Sequence, residues 1–146
     1  MTELFTEHAR MAMILANKEA KRFDQEYVCT EHILLGIVKE GSGRGAKVLK
    51  ALGVDLVKVT MEVAKLHPIG AETRIEGDLP LTPGAKKVLE YTFEEARKLN
   101  NNCVGTEHLL LGILRDDDGT AAEILQNVGI HPQDVRNEVR RSLVRE

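Results

Sequence analysis

Shifted by 76 positions, the sequence matches itself without a gap. Residues 5–67 then lie over residues 81–143, and 19 of those 63 columns are identical. The identities fall in register, among them Thr6 with Thr82, Ala20 with Ala96, Gly36 with Gly112, Gly53 with Gly129 and Val63 with Val139. The densest match sets TEHILLGI, Thr30 to Ile37, against TEHLLLGI, Thr106 to Ile113. A duplication of this length restricts the chain to two similar halves built on one pattern. The strip between the copies, HPIGAETRIEGDLPL, has two Pro, two Gly and no helical period, so it reads as a linker. The expected organisation is one domain over 1–146, with repeat one at 5–67, a linker at 68–80 and repeat two at 81–143.

Each copy predicts four helices. The first begins at Thr6 (Thr82) and sets Ala9, Met13, Ala16, Ala20 and Phe23 on one face. Pro83 behind Thr82 fits the first helical position after a Thr cap. The second, beginning TEH, is apolar nearly all round and belongs in the middle of its unit. Thr30 and Thr106 are expected to cap it. The third covers Ala46 to Leu52 (Ala121 to Val128) and stops at Gly53 (Gly129), suited to a left-handed helix end. The fourth sets Leu56, Val59, Val63 and Leu66 on one face; its counterpart starts at His131-Pro132 and buries Val135, Val139 and Leu143. No segment alternates with period two. The fold class is therefore all-α: eight helices, a tandem repeat of two four-helix units related by a pseudo-twofold.

Composition narrows the function. Aromatic residues are 3% and Trp is absent, so the core must be aliphatic. A net charge of −3 with mixed signs gives no electrostatic reason to bind nucleic acid or an anionic membrane. No apolar run approaches the roughly 20 residues of a membrane helix, and MTELFTEHARMAM is not a signal peptide. Cys29 and Cys103 form no CxxC pair and read as reduced thiols of a cytosol-like compartment, packed as small buried side chains.

Three motif-like stretches fail on context. GSGRGA at 41–46 follows a helix rather than a strand, and its copy is DDGTAA, so it is no dinucleotide loop. No Gly-Lys-Ser/Thr is present for an ATP-binding P-loop. DDDG at 116–119 lacks the ligand spacing of a calcium loop and suits a solvated turn. No nucleophile–base arrangement points to catalysis, and no metal set is expected. His32 and His108 read as packed histidines hydrogen-bonded to backbone. Glu31 and Glu107 stay open: an acid at a helix start gains a few tenths of a kcal/mol from the dipole, and a ligand carboxylate fits equally.

The paired TEH-[IL]-LLG-[IL] starts, each preceded by FTE or LTP, together with LPLTPGAKKVLE and EARKLNNNCVGTEHLLLGIL, resemble the N-terminal domain of the Clp chaperone ATPases, most of all its ClpC branch. The resemblance spans essentially the whole chain. It implies a non-catalytic, all-helical tandem repeat that docks adaptor proteins and protein substrates for a hexameric AAA+ unfoldase feeding a Clp protease. ATP belongs to modules outside these residues, so the chain is an excised N-domain or a stand-alone relative, monomeric by itself, from a bacterial cytoplasm or a plastid stroma.

The ClpC resemblance further implies recognition of phosphoarginine, with one pocket per repeat. Carried over by motif, the carboxylates are Glu31 and Glu107 and the helix-opening residues are Thr6 and Thr82; 25 residues separate Thr6 from Glu31 and Thr82 from Glu107. A carboxylate takes a guanidinium edge through forked hydrogen bonds, and a phosphoryl group rests on free amides at a helix start. The chain departs from the family pattern at His8 and Gly84, where Arg is common, and at Leu81, where an aromatic is common. The first lowers the expected phosphate affinity, most at the second site; the last weakens apolar docking near the linker. The rival expectation is an adaptor-docking or structural module with no such pocket.

Overall fold

The computed structural model describes residues 4–66 and 76–144, the side chains of Leu143 and Val144 excepted. Residues 67–75, the last residue of repeat one and the first part of the expected linker, lie outside the described residues, as does the burial expected of Leu143. Eight helices run through the described residues: α1 (Glu7–Arg22), α2 (Thr30–Glu40), α3 (Arg44–Ala51), α4 (Leu56–Leu66), α5 (Pro83–Lys98), α6 (Thr106–Arg115), α7 (Thr120–Asn127) and α8 (Pro132–Val144).

The first pair in each repeat is set by small residues. Ala9, Ala12, Ala16 and Ala20 of α1 have no exposed surface, and Gly36 of α2 lies against them. A Cβ on Gly36 would strike the Ala12 carbonyl oxygen. Gly112 of α6 meets α5 in the same way, close to the Val88 carbonyl and the Thr92 hydroxyl. Two backbones this close leave no room for a methyl group, which is why both copies of the TEH helix carry Gly at that point.

Charge fixes the same pairs. Glu19 of α1 receives Lys39 of α2 at 3.2 Å, and Glu95 of α5 receives Arg115 of α6 at 3.3 Å. Glu95 also holds Arg136 of α8 at 2.9 Å. These carboxylates are almost wholly buried, where an acid persists only when paired.

The repeats are not two independent bundles. Helix α3 of the first repeat packs on α6 and α8 of the second, and α7 of the second packs on α2 and α4 of the first. The buried apolar side chains form one continuous core through both halves, with Leu34, Leu35, Leu110 and Leu111 in its middle. Both TEH helices are buried from Thr through Val38 or Leu114, as their all-round apolar character predicts.

Three local expectations are corrected. Thr30 and Thr106 do not cap their own helices: the N-cap positions are Cys29 and Gly105. Instead Thr106 Oγ1 accepts from the Gly45 amide at 2.8 Å and Thr30 Oγ1 accepts from the Ala121 amide at 3.2 Å. Each Thr thus serves the first turn of a helix in the other repeat, α3 or α7, whose own N-caps are glycines without a side chain. On α4, Val59 and Val63 are buried but Leu56 and Leu66 are 42% and 50% exposed, because α4 lies at the edge of the bundle and only its central turn meets the core. Cys103 is exposed and Cys29 half-buried, both as free thiols.

Other expectations hold. Thr6 and Thr82 cap α1 and α5 through Ala9 and Ala85 amides at 3.1 Å, with Pro83 at the first turn of α5. Gly53 and Gly129 take φ of 81° and 88° directly after α3 and α7.

Candidate functional site

The two TEH helices begin by one device. His32 Nδ1 accepts from the Cys29 amide and His108 Nδ1 from the Gly105 amide, both at 2.9 Å. The ring at the third helical position thus reaches back to the N-cap, the task usually given to Glu or Gln. His108 Nε2 must then carry its hydrogen and donate to Asn101 Oδ1 at 2.8 Å. Burial holds the His108 ring below the usual histidine pKa, Glu107 and Glu95 pulling it back up in part. With His turned inward, Glu31 and Glu107 occupy the neighbouring direction and remain acids at a helix start.

The chain before each repeat's first helix then crosses to the other repeat. Phe5 bridges to Val104, and the Thr6 amide donates to the Val104 carbonyl at 2.9 Å. By the same geometry Leu81 bridges to Val28, and the Thr82 amide donates to the Val28 carbonyl at 3.0 Å. Thr6 is thereby carried to the start of α6, beside Glu107, and Thr82 to the start of α2. The equal spacings of 25 residues within each repeat reflect symmetry; the neighbours themselves come from opposite repeats.

A cavity of about 480 Å³ opens where Thr6 and Glu107 meet. The start of α1 contributes Thr6 and His8, the loop and α3 contribute Ser42, Gly43, Arg44 and Lys47, α6 contributes Thr106 and Glu107, and α8 contributes Glu138 and Ser142. A smaller hollow of about 280 Å³ adjoins it, and Thr6, Arg44 and Glu107 line both. Glu31 lines neither.

Within the cavity Glu107 is buried, its side chain 9% exposed, and its Oε2 receives Arg44 Nη1 at 3.1 Å. Its other oxygen sits tight against Gly105, where any Cβ would strike it. Glu40 holds three of the residues that line the cavity. It accepts from the Gly43 amide at 2.7 Å and the Ser42 amide at 3.1 Å, and pairs with His8 Nδ1 at 2.6 Å. Burial pushes the Glu40 carboxyl up, but these hydrogen bonds and the His8 charge outweigh it and hold it below the usual carboxylate range. His8 is therefore a strap for the turn before α3.

The pseudo-equivalent position, between Thr82 and Glu31, is framed alike but carries different side chains. Gly84, the equivalent of His8, lies near Thr30, Thr82 and Asp116. Thr120 stands at the position of Arg44, Glu123 at that of Lys47 and Cys29 at that of Gly105. Burial pushes the Cys29 thiol up to about 11, and the nearby Glu31 charge adds to it. A third hollow, about 410 Å³ and largely apolar, lies along α1 and α5 between Phe5, Met13, Val28, Leu79, Leu81 and Phe93.

Sequence reasoning singled out Thr6, Thr82, Glu31 and Glu107 but missed Arg44, Lys47 and Glu40. The available signal was the difference between copies: RGAK faces TAAE at equal positions. Among the described residues no group of His, Cys, Asp or Glu could hold a metal ion, and no helix is long and apolar enough to cross a membrane.

The chain matches the family model of the Clp repeat (R) N-terminal domain over residues 4–128 and again over 88–146. It belongs to the Clp repeat N-terminal domain family. It is 46% identical over 141 residues, 97% of its length, to the chloroplastic chaperone protein ClpC1 of Arabidopsis thaliana. It is likewise 46% identical over 143 residues to a ClpA homolog of Guillardia theta, described as an ATP-dependent Clp protease ATP-binding subunit. This Clp repeat chain spans 15% and 17% of those two proteins. Among solved structures, the N-terminal domain of the chaperone ClpD from Arabidopsis thaliana aligns with TM-score 0.81 and 26% identity, covering 98% of this chain and 99% of that one. The N-domain of ClpV from Vibrio cholerae, at TM-score 0.75 and 16% identity over 94% of this chain and 83% of that one, shares the fold.

Proposed function

We propose that this Clp repeat domain is the substrate- and adaptor-recognition part of a ClpC-type unfoldase, and that it binds phosphoarginine-tagged proteins. The first site is the cavity between Thr6 and Glu107, and the second is its pseudo-equivalent between Thr82 and Glu31. The observation that carries this reading is the buried Glu107 carboxylate set across a cavity from the start of α1. A guanidinium edge seats on the carboxylate. The phosphoryl group reaches the start of α1, where the helix leaves first-turn amides without carbonyl partners and Thr6 itself takes the Ala9 amide; Lys47 lines the same cavity.

Binding of this kind breaks no bond, so the domain acts as a reader. ATP hydrolysis belongs to AAA+ modules beyond these residues, assembled as a hexamer that passes substrates to a Clp protease. The chloroplastic names among its relatives favour a plastid stroma, with a bacterial cytoplasm as the other setting.

Calorimetric titration with free phosphoarginine tests the reading. Two sites are expected, and Glu31→Ala with Glu107→Ala should remove the heat; undiminished binding by the double variant refutes the assignment. The Arg44–Glu107 ion pair favours a second reading, an adaptor-docking module whose Glu107 is purely structural. In that case free phosphoarginine gives no heat while an adaptor still binds.

A further inference from the structure

We infer that Lys47 is the residue by which the first site selects a phosphoryl group, and that Glu123 in its place makes the second site the weaker reader. The inference rests on the phosphoarginine reading and deepens it: two sites with one frame have opposite electrostatic character.

The third helix of each repeat is seated in the same way. The Gly45 amide of α3 donates to Thr106 Oγ1, and the Ala121 amide of α7 donates to Thr30 Oγ1. Gly45 and Ala121 are each the second residue of their helix. The fourth residue therefore takes the same place against the opposite repeat. In α3 it is Lys47, which is exposed and lines the first cavity with Thr6 and His8. In α7 it is Glu123, also exposed.

Other charges of the first cavity repeat at the second site. Glu107 is answered by Glu31. Glu138 has Arg141 at 2.6 Å, and its equivalent, Glu62, has Lys65 at 2.6 Å. The sites part at the third helix and the turn before it. Ser42 is answered by Asp118 and Lys47 by Glu123. Glu40 pairs with His8, whereas its equivalent, Asp116, faces Gly84: its Oδ2 lies 4.0 Å from where a Cβ on that glycine would stand. Acids thus gather around the start of α5, where a phosphoryl group would have to rest.

A phosphoryl group brings about two negative charges. Both sites offer it a helix start, and both offer a carboxylate to the guanidinium, so those contacts do not separate them. The field does. The Lys47 ammonium is a compact charge on a flexible stem and follows the phosphoryl oxygens, while Glu123 and Asp116 repel them. Exposed charges act through water, so one unit at this position shifts the affinity about fivefold. Salt screens that effect. Contacts to the backbone amides are short and escape most of the screening.

The test is a titration of the isotope-labelled protein with free phosphoarginine, read site by site from its amide resonances. Gly43 lines the first cavity, and Gly119 is its equivalent. The Gly43 signal should saturate at a phosphoarginine concentration about tenfold or more below that needed for Gly119. Lys47→Gln should weaken the first site about fivefold and Lys47→Glu about 25-fold. Glu123→Lys should tighten the second site by a similar factor. All three changes should shrink at about 1 M NaCl, where the screening length is about 3 Å. Equal affinities in the parent protein, substitutions without effect, or effects that persist undiminished in high salt overturn the inference while the phosphoarginine reading stands. No shift at either site in any of these proteins takes down both.

Discussion

Arg44 and Glu107 are 63 positions apart, in different repeats, and meet at 3.1 Å because α3 of the first repeat is seated on α6 of the second. The pair ties the duplication together at the point where the candidate cavity opens. It explains why an acid at a helix start can be buried at all. It also makes the first site chemically unlike the second.

The pair should contribute to stability. Arg44→Met leaves Glu107 in a buried place without that partner. Because Arg44 keeps some access to solvent, the loss should fall below the fully buried case, at about 1–3 kcal/mol. Urea unfolding followed by circular dichroism measures it. A double variant with Glu107→Gln should recover part of the loss, since no charge is then left buried.

Thr30 and Thr106 cap helices of the opposite repeat, so their hydroxyls should matter while their positions in their own helices should not. Thr106→Val leaves the Gly45 amide without its acceptor, and Thr30→Val does the same to Ala121. Each should lower the unfolding free energy by about 1–3 kcal/mol. Thr→Ser at either position keeps the oxygen and should retain most of that stability. Equal effects of Val and Ser would show that the hydroxyl is not the cause.

Gly36→Ala and Gly112→Ala force a methyl group into the backbone of the facing helix. Rigid partners cannot give way as a flexible side chain would. Each should be destabilising by about 3 kcal/mol or more, which lowers the thermal midpoint by about 10 °C in a domain of this size. Gly53→Ala offers the contrast: nothing lies within reach of a Cβ there, but its φ of 81° is strained for alanine, so its smaller loss is conformational.

His108 should make stability depend on pH near neutrality. Its folded ring is held below the ordinary histidine pKa by burial. Above about pH 6.5 the ring is neutral in both states and contributes nothing to the pH slope. As the pH falls below that value, the unfolded chain takes up a proton that the folded ring refuses, so stability declines towards the lower folded pKa. His108→Gln keeps an acceptor for the Gly105 amide and should flatten this part of the profile. Urea midpoints between pH 5 and 8 provide the comparison.

The sequence by itself determined the periodic part of this protein. The offset of 76, the alanine face of α1, the all-round apolar TEH helices and the glycine stops all act over one or two helical turns. Local sterics and burial decide such features, so the family and the eight helices were legible in the residues. Tertiary structure decided who meets whom. Nothing local in Thr106 says that its hydroxyl serves Gly45, and nothing in the 25-residue spacing says that Thr6 reaches Glu107 rather than Glu31. Those pairings arise because α3 and α7 pack across the repeats and the segments leading into α1 and α5 cross with them. Two copies with nearly the same pattern can bury their apolar faces against themselves or against each other, and only the shape of the shared core distinguishes the two.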